Sequence, residues 1–205
     1  MKSLRVLGQV TEKLAPGRSP SFNEAHVLKA LELLGEGDIG RKQLASKLSL
    51  GEGMTRNLIS RLQSLGLLVT SRRGMSLSEE GVSLLNSFRE KMTSCQFPVS
   101  QITVDENNYA VLIRNGAKGI KLGLEQRDDA LMAGARGATT LLRDEFEVVI
   151  PGTQEKIESS VKDFIENEMQ PKYGDVIIIG SSPELHKAEI GAKAAALKLL
   201  GEISG

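Results

Sequence analysis

Apolar positions in the first half of the chain recur at helical spacing in several short runs. Ala25, Leu28, Leu31 and Leu33 mark a helix from Asn23, a capping residue type, to about Leu34. Gly35, Gly37 and Gly40 interrupt it. Residues 41–48 form a second helix with Leu44, Ala45 and Leu48 on one side. SLGEG (49–53) reads as a turn, and a third helix follows from about Met54 to Leu65. Its inward face is Leu58, Ile59, Leu62 and Leu65, and Gly66 is placed to end it. Residues 67–71 and 75–78 flank an Arg-Arg-Gly turn and predict a small hairpin. Ser78 then caps a helix that opens with Glu79 and Glu80, where the helix dipole favours acid. Residues 1–21, with Pro16, Gly17 and Pro20, read as an arm or loop.

Beyond TSCQFPVS (93–100), which reads as a linker, strands and helices alternate. Strands are expected at 102–104, 109–114, 138–142, 145–150 and 175–180, the last a continuous apolar run typical of a buried strand. Helices are expected at 123–135, 153–169 and 183–202. The fold class that follows is α+β with two domains. A winged helix-turn-helix occupies residues 1–95, and an α/β sandwich-like domain with a mixed sheet occupies 101–205.

Charge sharpens the division. The 205-residue chain is formally neutral. Residues 1–100 nevertheless hold 14 Lys and Arg against 9 Asp and Glu, while residues 101–205 hold 12 against 17. The excess peaks in residues 41–78, where seven basic residues face Glu52 alone. Such a localised patch is what polyanion binding requires. The one cysteine, Cys95, falls in the linker and forms no intrachain disulfide. No secretory signal and no membrane-length apolar run is apparent, so a cytoplasmic location is expected. No metal site, cofactor motif or catalytic set emerges: the only histidines, His26 and His186, stand apart, and adjacent Asp128 and Asp129 diverge on a helix.

In a helix-turn-helix the second helix enters the major groove. Thr55, Arg56, Asn57, Ser60 and Arg61 are the polar residues left for that role. Arg41 and Lys42, at the start of the preceding helix, are candidates for phosphate. Arg72 and Arg73, at the hairpin tip, are candidates for wing contacts. The run from Arg41 to Gly81, RKQLASKLSLGEGMTRNLISRLQSLGLLVTSRRGMSLSEEG, resembles bacterial and archaeal winged helix-turn-helix regulators over about residues 20–95. The resemblance implies binding to double-stranded DNA, usually as a homodimer. The whole chain is similar, more loosely, to an archaeal family in which a winged helix precedes a domain of unknown function with GLEQRDDALMAGARGATTL-like and GDVIIIGS-like segments.

The second half offers two candidate ligand features. Arg127, Thr139 and Thr140 bracket a glycine-rich turn. Gly180, Ser181 and Ser182 end a buried strand and lead into a helix, which would aim free N–H groups and hydroxyls at a small anionic ligand. An ordinary strand-to-helix turn with Ser182 as the cap is the alternative. The reading is a DNA-binding transcriptional regulator responsive to a small molecule. A metabolic enzyme with a regulatory winged helix (Glu125, Asp128 and His186 as candidates) and a protein-interaction adaptor are the alternatives.

Overall fold

The computed structural model describes residues 2–13 and 21–204. It divides into two units, Met1–Glu90 and Lys91–Gly205. Pro16, Gly17 and Pro20 lie outside the described residues.

In the first unit, the expected arm contains a helix, α1 (Lys2–Thr11). Ser3, Leu7 and Val10 recur along one side and are buried, a period masked in the sequence by the charges between them. The central element is α2 (Glu24–Gly35), buried on most of its circumference. Its start is fixed by a reciprocal box. Asn23 Oδ1 accepts from the His26 backbone N–H, and the Asn23 N–H donates to His26 Nδ1. On α2 pack α1, α3 (Arg41–Leu48) and α5 (Glu79–Arg89), while α4 (Glu52–Ser64) packs against α3 and α1. Ser49, left-handed at φ 53°, makes the tight turn between α3 and α4. Gly66 at φ 70° ends α4. Strands β1 (Leu68–Thr70) and β2 (Met75–Leu77) pair antiparallel, and Met75 also bridges Ile39 through two 2.9 Å backbone bonds. Ser78 caps α5, its Oγ accepting from the Gly81 N–H.

The second unit is built on five strands: β3 (Met92–Phe97), β4 (Asn107–Ile113), β5 (Gly137–Arg143), β6 (Val148–Val149) and β7 (Val176–Ser182), in the order β3-β4-β7-β5-β6. Every pairing is antiparallel, where the alternation of strands and helices suggested a mixed sheet. The reason is that β7 inserts between β4 and β5, so those two strands run the same way without pairing. The expected linker is thus the edge strand β3. Its alternation is weak because an edge strand buries little, and Cys95 sits in it opposite Ala110. Residues 102–104 are a turn rather than a strand. Ile102 is buried in the core while Thr103 Oγ1 donates to the Ser100 carbonyl. Strand 145–150 shortens to β6 because the Asp144 carboxylate accepts from the Phe146 and Glu147 N–H groups and makes a turn there.

Helix α7 (Ser159–Glu168) starts later than expected, after an extended segment pinned by buried Ile157. It covers one face of the sheet, burying Val161 and Ile165 on Phe97, Ala110, Leu112, Leu141, Ile177 and Ile179. Helices α6 (Leu124–Met132) and α8 (Leu185–Ile203) cover the other face. The small residues of α8 are a packing requirement. A Cβ at Gly180 would lie 2.3 Å from the Ala188 carbonyl, so strand and helix touch backbone to backbone. Among the described residues, no helix is long and apolar enough to cross a membrane.

Candidate nucleic-acid interface

The polar surface of α4 follows from its pitch of about 100° per residue. Thr55, Leu58, Ile59 and Leu62 fall in one arc and are buried. Arg56, Ser60 and Gln63, at i, i+4 and i+7, form a line to one side of that arc and are exposed. That line is one wall of a concavity of about 390 Å³. Gly40 and Arg41 at the start of α3 line it as well, as do Thr70 and Gly74 of the hairpin. Gln63 Nε2 donates to Thr70 Oγ1 at 3.0 Å and ties α4 to the hairpin. The amino end of α3 has no side-chain cap, so its first N–H groups and the positive end of its dipole are left without a side-chain acceptor.

Arg41, Lys42, Arg56, Arg72 and Arg73 are all exposed, and among the described residues none of their side chains is engaged in an ion pair or hydrogen bond. Five cations held by three elements and left uncompensated give a positive field over the concavity and the hairpin tip.

Two of the candidate groove residues are used differently. Thr55 is fully buried and its Oγ1 donates to the Gly51 carbonyl at 3.1 Å, because position 55 lies inside the buried arc of α4. Arg61 lies at the edge of the exposed arc and turns toward α1. Its Nη1 donates to the Val10 and Glu12 carbonyls at 2.8 and 2.6 Å, its Nε donates to Asn57 Oδ1 at 2.6 Å, and its guanidinium lies 5.9 Å from the centre of the Phe22 ring. Leu65, expected inside, is 39% exposed, since the chain leaves the helix there. The sequence reading missed Gln63 and Thr70. The Arg56, Ser60, Gln63 spacing was the signal for the first, but the second depends on hairpin register.

In the second unit the expected ligand residues are dispersed. Gly180, Ser181 and Ser182 are inside β7, buried and paired with β4 on one side; Gly180 and Ser181 also pair with β5. The helix begins after them, capped at Glu184 without a side-chain bond, so Ser182 is not its cap. Thr139 Oγ1 donates to the Ile102 carbonyl, and Thr140 Oγ1 donates to the Gly123 carbonyl from the opposite face of the sheet. Arg127 is exposed on α6. Of the acid-base candidates, Glu125 and Asp128 are exposed, while His186 Nε2 lies 3.6 Å from Glu184 Oε2. Among the described residues, no three His, Cys, Asp or Glu side chains gather with metal-binding geometry.

Comparison with known proteins agrees with the two-part layout. Residues 24–92 match the family described as CggR N-terminal DNA binding domain, and residues 104–199 match a domain of unknown function, DUF4443. No curated protein matches the chain. A solved structure, a hypothetical protein from Pyrococcus horikoshii OT3, superposes with a TM-score of 0.74 at 25% identity, covering 89% of this chain and 95% of that one. The chain thus carries a DNA-binding domain of the CggR N-terminal type followed by a DUF4443 domain, the order of a helix-turn-helix regulator fused to a C-terminal domain.

Proposed function

We propose that this protein is a DNA-binding transcriptional regulator of the winged-helix kind. In it α4 enters the major groove, the amino end of α3 holds a backbone phosphate, and the β1–β2 hairpin is the wing. The observation that carries the reading is convergence. Arg41 and Arg56, with Ser60 and Gln63, line one concavity beneath an uncapped helix start, and the cations there and at the hairpin tip have no partner among the described residues. Helix N-termini and unpaired Arg are donors suited to phosphate oxygens, while Arg, Asn and Ser on α4 suit base edges. Arg56, Asn57 and Ser60 are the readers. Arg41 and Lys42 hold the backbone, with Arg72 and Arg73 on the adjacent groove or backbone.

The test is selection of duplexes from a random-sequence pool, followed by titration of the selected and random duplexes across a salt series. Arg41→Ala and Arg72→Ala are expected to weaken both duplexes and each to reduce the salt slope by about 1. Arg56→Ala is expected to cost about 1–3 kcal/mol on the selected duplex alone. Binding that ignores salt and these substitutions refutes the reading.

The regulator is taken to act as a homodimer, whose two α4 helices would meet half-sites about 34 Å apart. Support comes from α6, which exposes Leu124 and Leu131 seven residues apart, with exposed Arg127 and Asp128 between them. One cation and one anion on an apolar stripe make a neutral face suited to a second copy. Leu131→Glu is expected to yield a monomer by light scattering, and an unchanged mass removes α6 from the interface. A small-molecule input is assigned to the second unit. Its support is two buried oxygens with no hydrogen-bond partner among the described residues, Asn108 Oδ1 on the α7 face of the sheet and Gln126 Oε1 on the α6 face, each a separate candidate contact. They are acceptors, so they suit a ligand that donates hydrogen bonds rather than an anion. Thermal shift against a panel of amines, amides and alcohols tests this, and no response across the panel counts against it.

A further inference from the structure

Arg61 stands on the helix proposed to read DNA, yet three of its five N–H donors are already spent inside the protein. Nη1 serves two carbonyls at the end of α1, and Nε serves Asn57. A guanidinium carries donors only, so the Asn57 atom 2.6 Å from it is the carbonyl oxygen. Turning the amide over would set NH₂ against N–H and lose a charge-assisted bond. Asn57 is exposed and one turn before Arg61, so its NH₂ is the group left to present outward.

We propose that Arg61 is a positioning residue that fixes Asn57 as a hydrogen-bond donor toward the groove, and that Arg61 itself contacts neither base nor phosphate. The proposal rests on the DNA reading above. A donor at position 57 selects base edges that present an acceptor in the major groove: N7 or O6 of guanine, N7 of adenine, O4 of thymine. It disfavours cytosine, whose groove edge offers the N4 amino donor. With Arg61 removed, Asn57 turns freely and loses that selection.

Three variants separate this from a purely structural role. Arg61→Lys keeps the charge but loses the fork. Arg61→Gln keeps an N–H donor at the same position along the side chain, within reach of Asn57, but loses the link to the α1 carbonyls. Asn57→Ala removes the oriented group. On duplexes from the selected pool, Arg61→Lys is expected to reduce discrimination against cytosine at one position about tenfold, with the salt slope unchanged. Arg61→Gln is expected to retain that discrimination while melting at a lower temperature. In the Asn57→Ala background, neither change should alter discrimination further. A salt slope reduced by about 1 in Arg61→Gln, which removes the charge, as for a lost phosphate contact, overturns the proposal. So does equal loss of discrimination in Arg61→Gln and Arg61→Lys, which would trace the effect to α1.

A measurement without DNA keeps this distinct from the DNA reading. In the free protein, the Arg61 Nε–H resonance should exchange slowly with solvent and become fast in Asn57→Ala. Fast exchange in the unaltered protein refutes the orientation even if DNA binding is specific. Slow exchange with no duplex preference refutes the DNA reading, and with it the proposed role of Asn57.

Discussion

Gly8 and Gly81 both sit in helices of the first unit, and replacing each by Ala should move stability in opposite directions. In an exposed helix, Gly→Ala stabilises by about 0.8–1.0 kcal/mol, because Ala loses less backbone entropy. At Gly8 in α1 an added Cβ meets nothing within 4 Å among the described residues, so Gly8→Ala should stabilise by about that amount. At Gly81 in α5 the Cβ would fall 2.2 Å from the Leu67 carbonyl oxygen and 3.2 Å from Leu77 Cβ. Ordinary contact starts near 3.4 Å, so helix and hairpin would have to separate by roughly 1 Å. The same carbonyl accepts the Ser78 N–H at 3.1 Å, a bond at the base of the hairpin, so the shift strains that too. Overpacking against backbone costs about 1–3 kcal/mol or more, which exceeds the helix gain. A net loss of about 1–2 kcal/mol is expected for Gly81→Ala. For a unit of this size that is a fall of roughly 4–16 °C in Tm. Denaturant and thermal melts followed by circular dichroism, fitted to the first unit's transition, make the measurement. Parallel stabilisation by both substitutions would show that α5 and the hairpin do not approach as closely as this geometry requires.

Thr55→Val should leave DNA affinity within about twofold and change stability by about 1 kcal/mol, since the hydroxyl serves only the Gly51 carbonyl; loss of duplex binding would return Thr55 to the groove. Asp175 is buried and accepts from Arg114 Nη1 at 2.6 Å and from the Asn115 and Lys172 N–H groups at 2.9 Å each. Asp175→Asn sets an amide against these donors and should cost about 3 kcal/mol, the figure reduced because Arg114 is partly exposed; a melt of the second unit unchanged within 2 °C would contradict it. Burial, with the Glu168 carboxylate adding to it, holds the Cys95 thiol above its ordinary pKa, so it stays protonated at neutral pH and the thiolate forms only as pH rises past that raised value. Reaction with a disulfide reagent at pH 8 should be slower than for a free thiol and should quicken in Glu168→Gln; free-thiol rates in the unaltered protein would contradict this.

Local periodicity and cap chemistry settled much of this molecule. The α4 boundaries, the Gly66 stop, the Ser78 and Asn23 caps and the hairpin are all consequences of residues within one or two turns of each other. The basic excess over residues 41–78 likewise needs no tertiary information, since charge is a property of composition. What the sequence left open depends on partners distant along the chain. Thr55 and Arg61 look alike as polar residues of one helix, but one lies against the buried arc and the other reaches α1, 49 and 51 residues away along the chain. The insertion of β7 between β4 and β5 is equally invisible locally, because strand pairing joins residues 34 to 75 positions apart. It turned an expected mixed sheet into an antiparallel one, and it placed Gly180, Ser181 and Ser182 in a ladder rather than at a helix start. Short-range physics fixes which residues form an element. Only the packing of elements decides which of their polar groups remain free to bind something else.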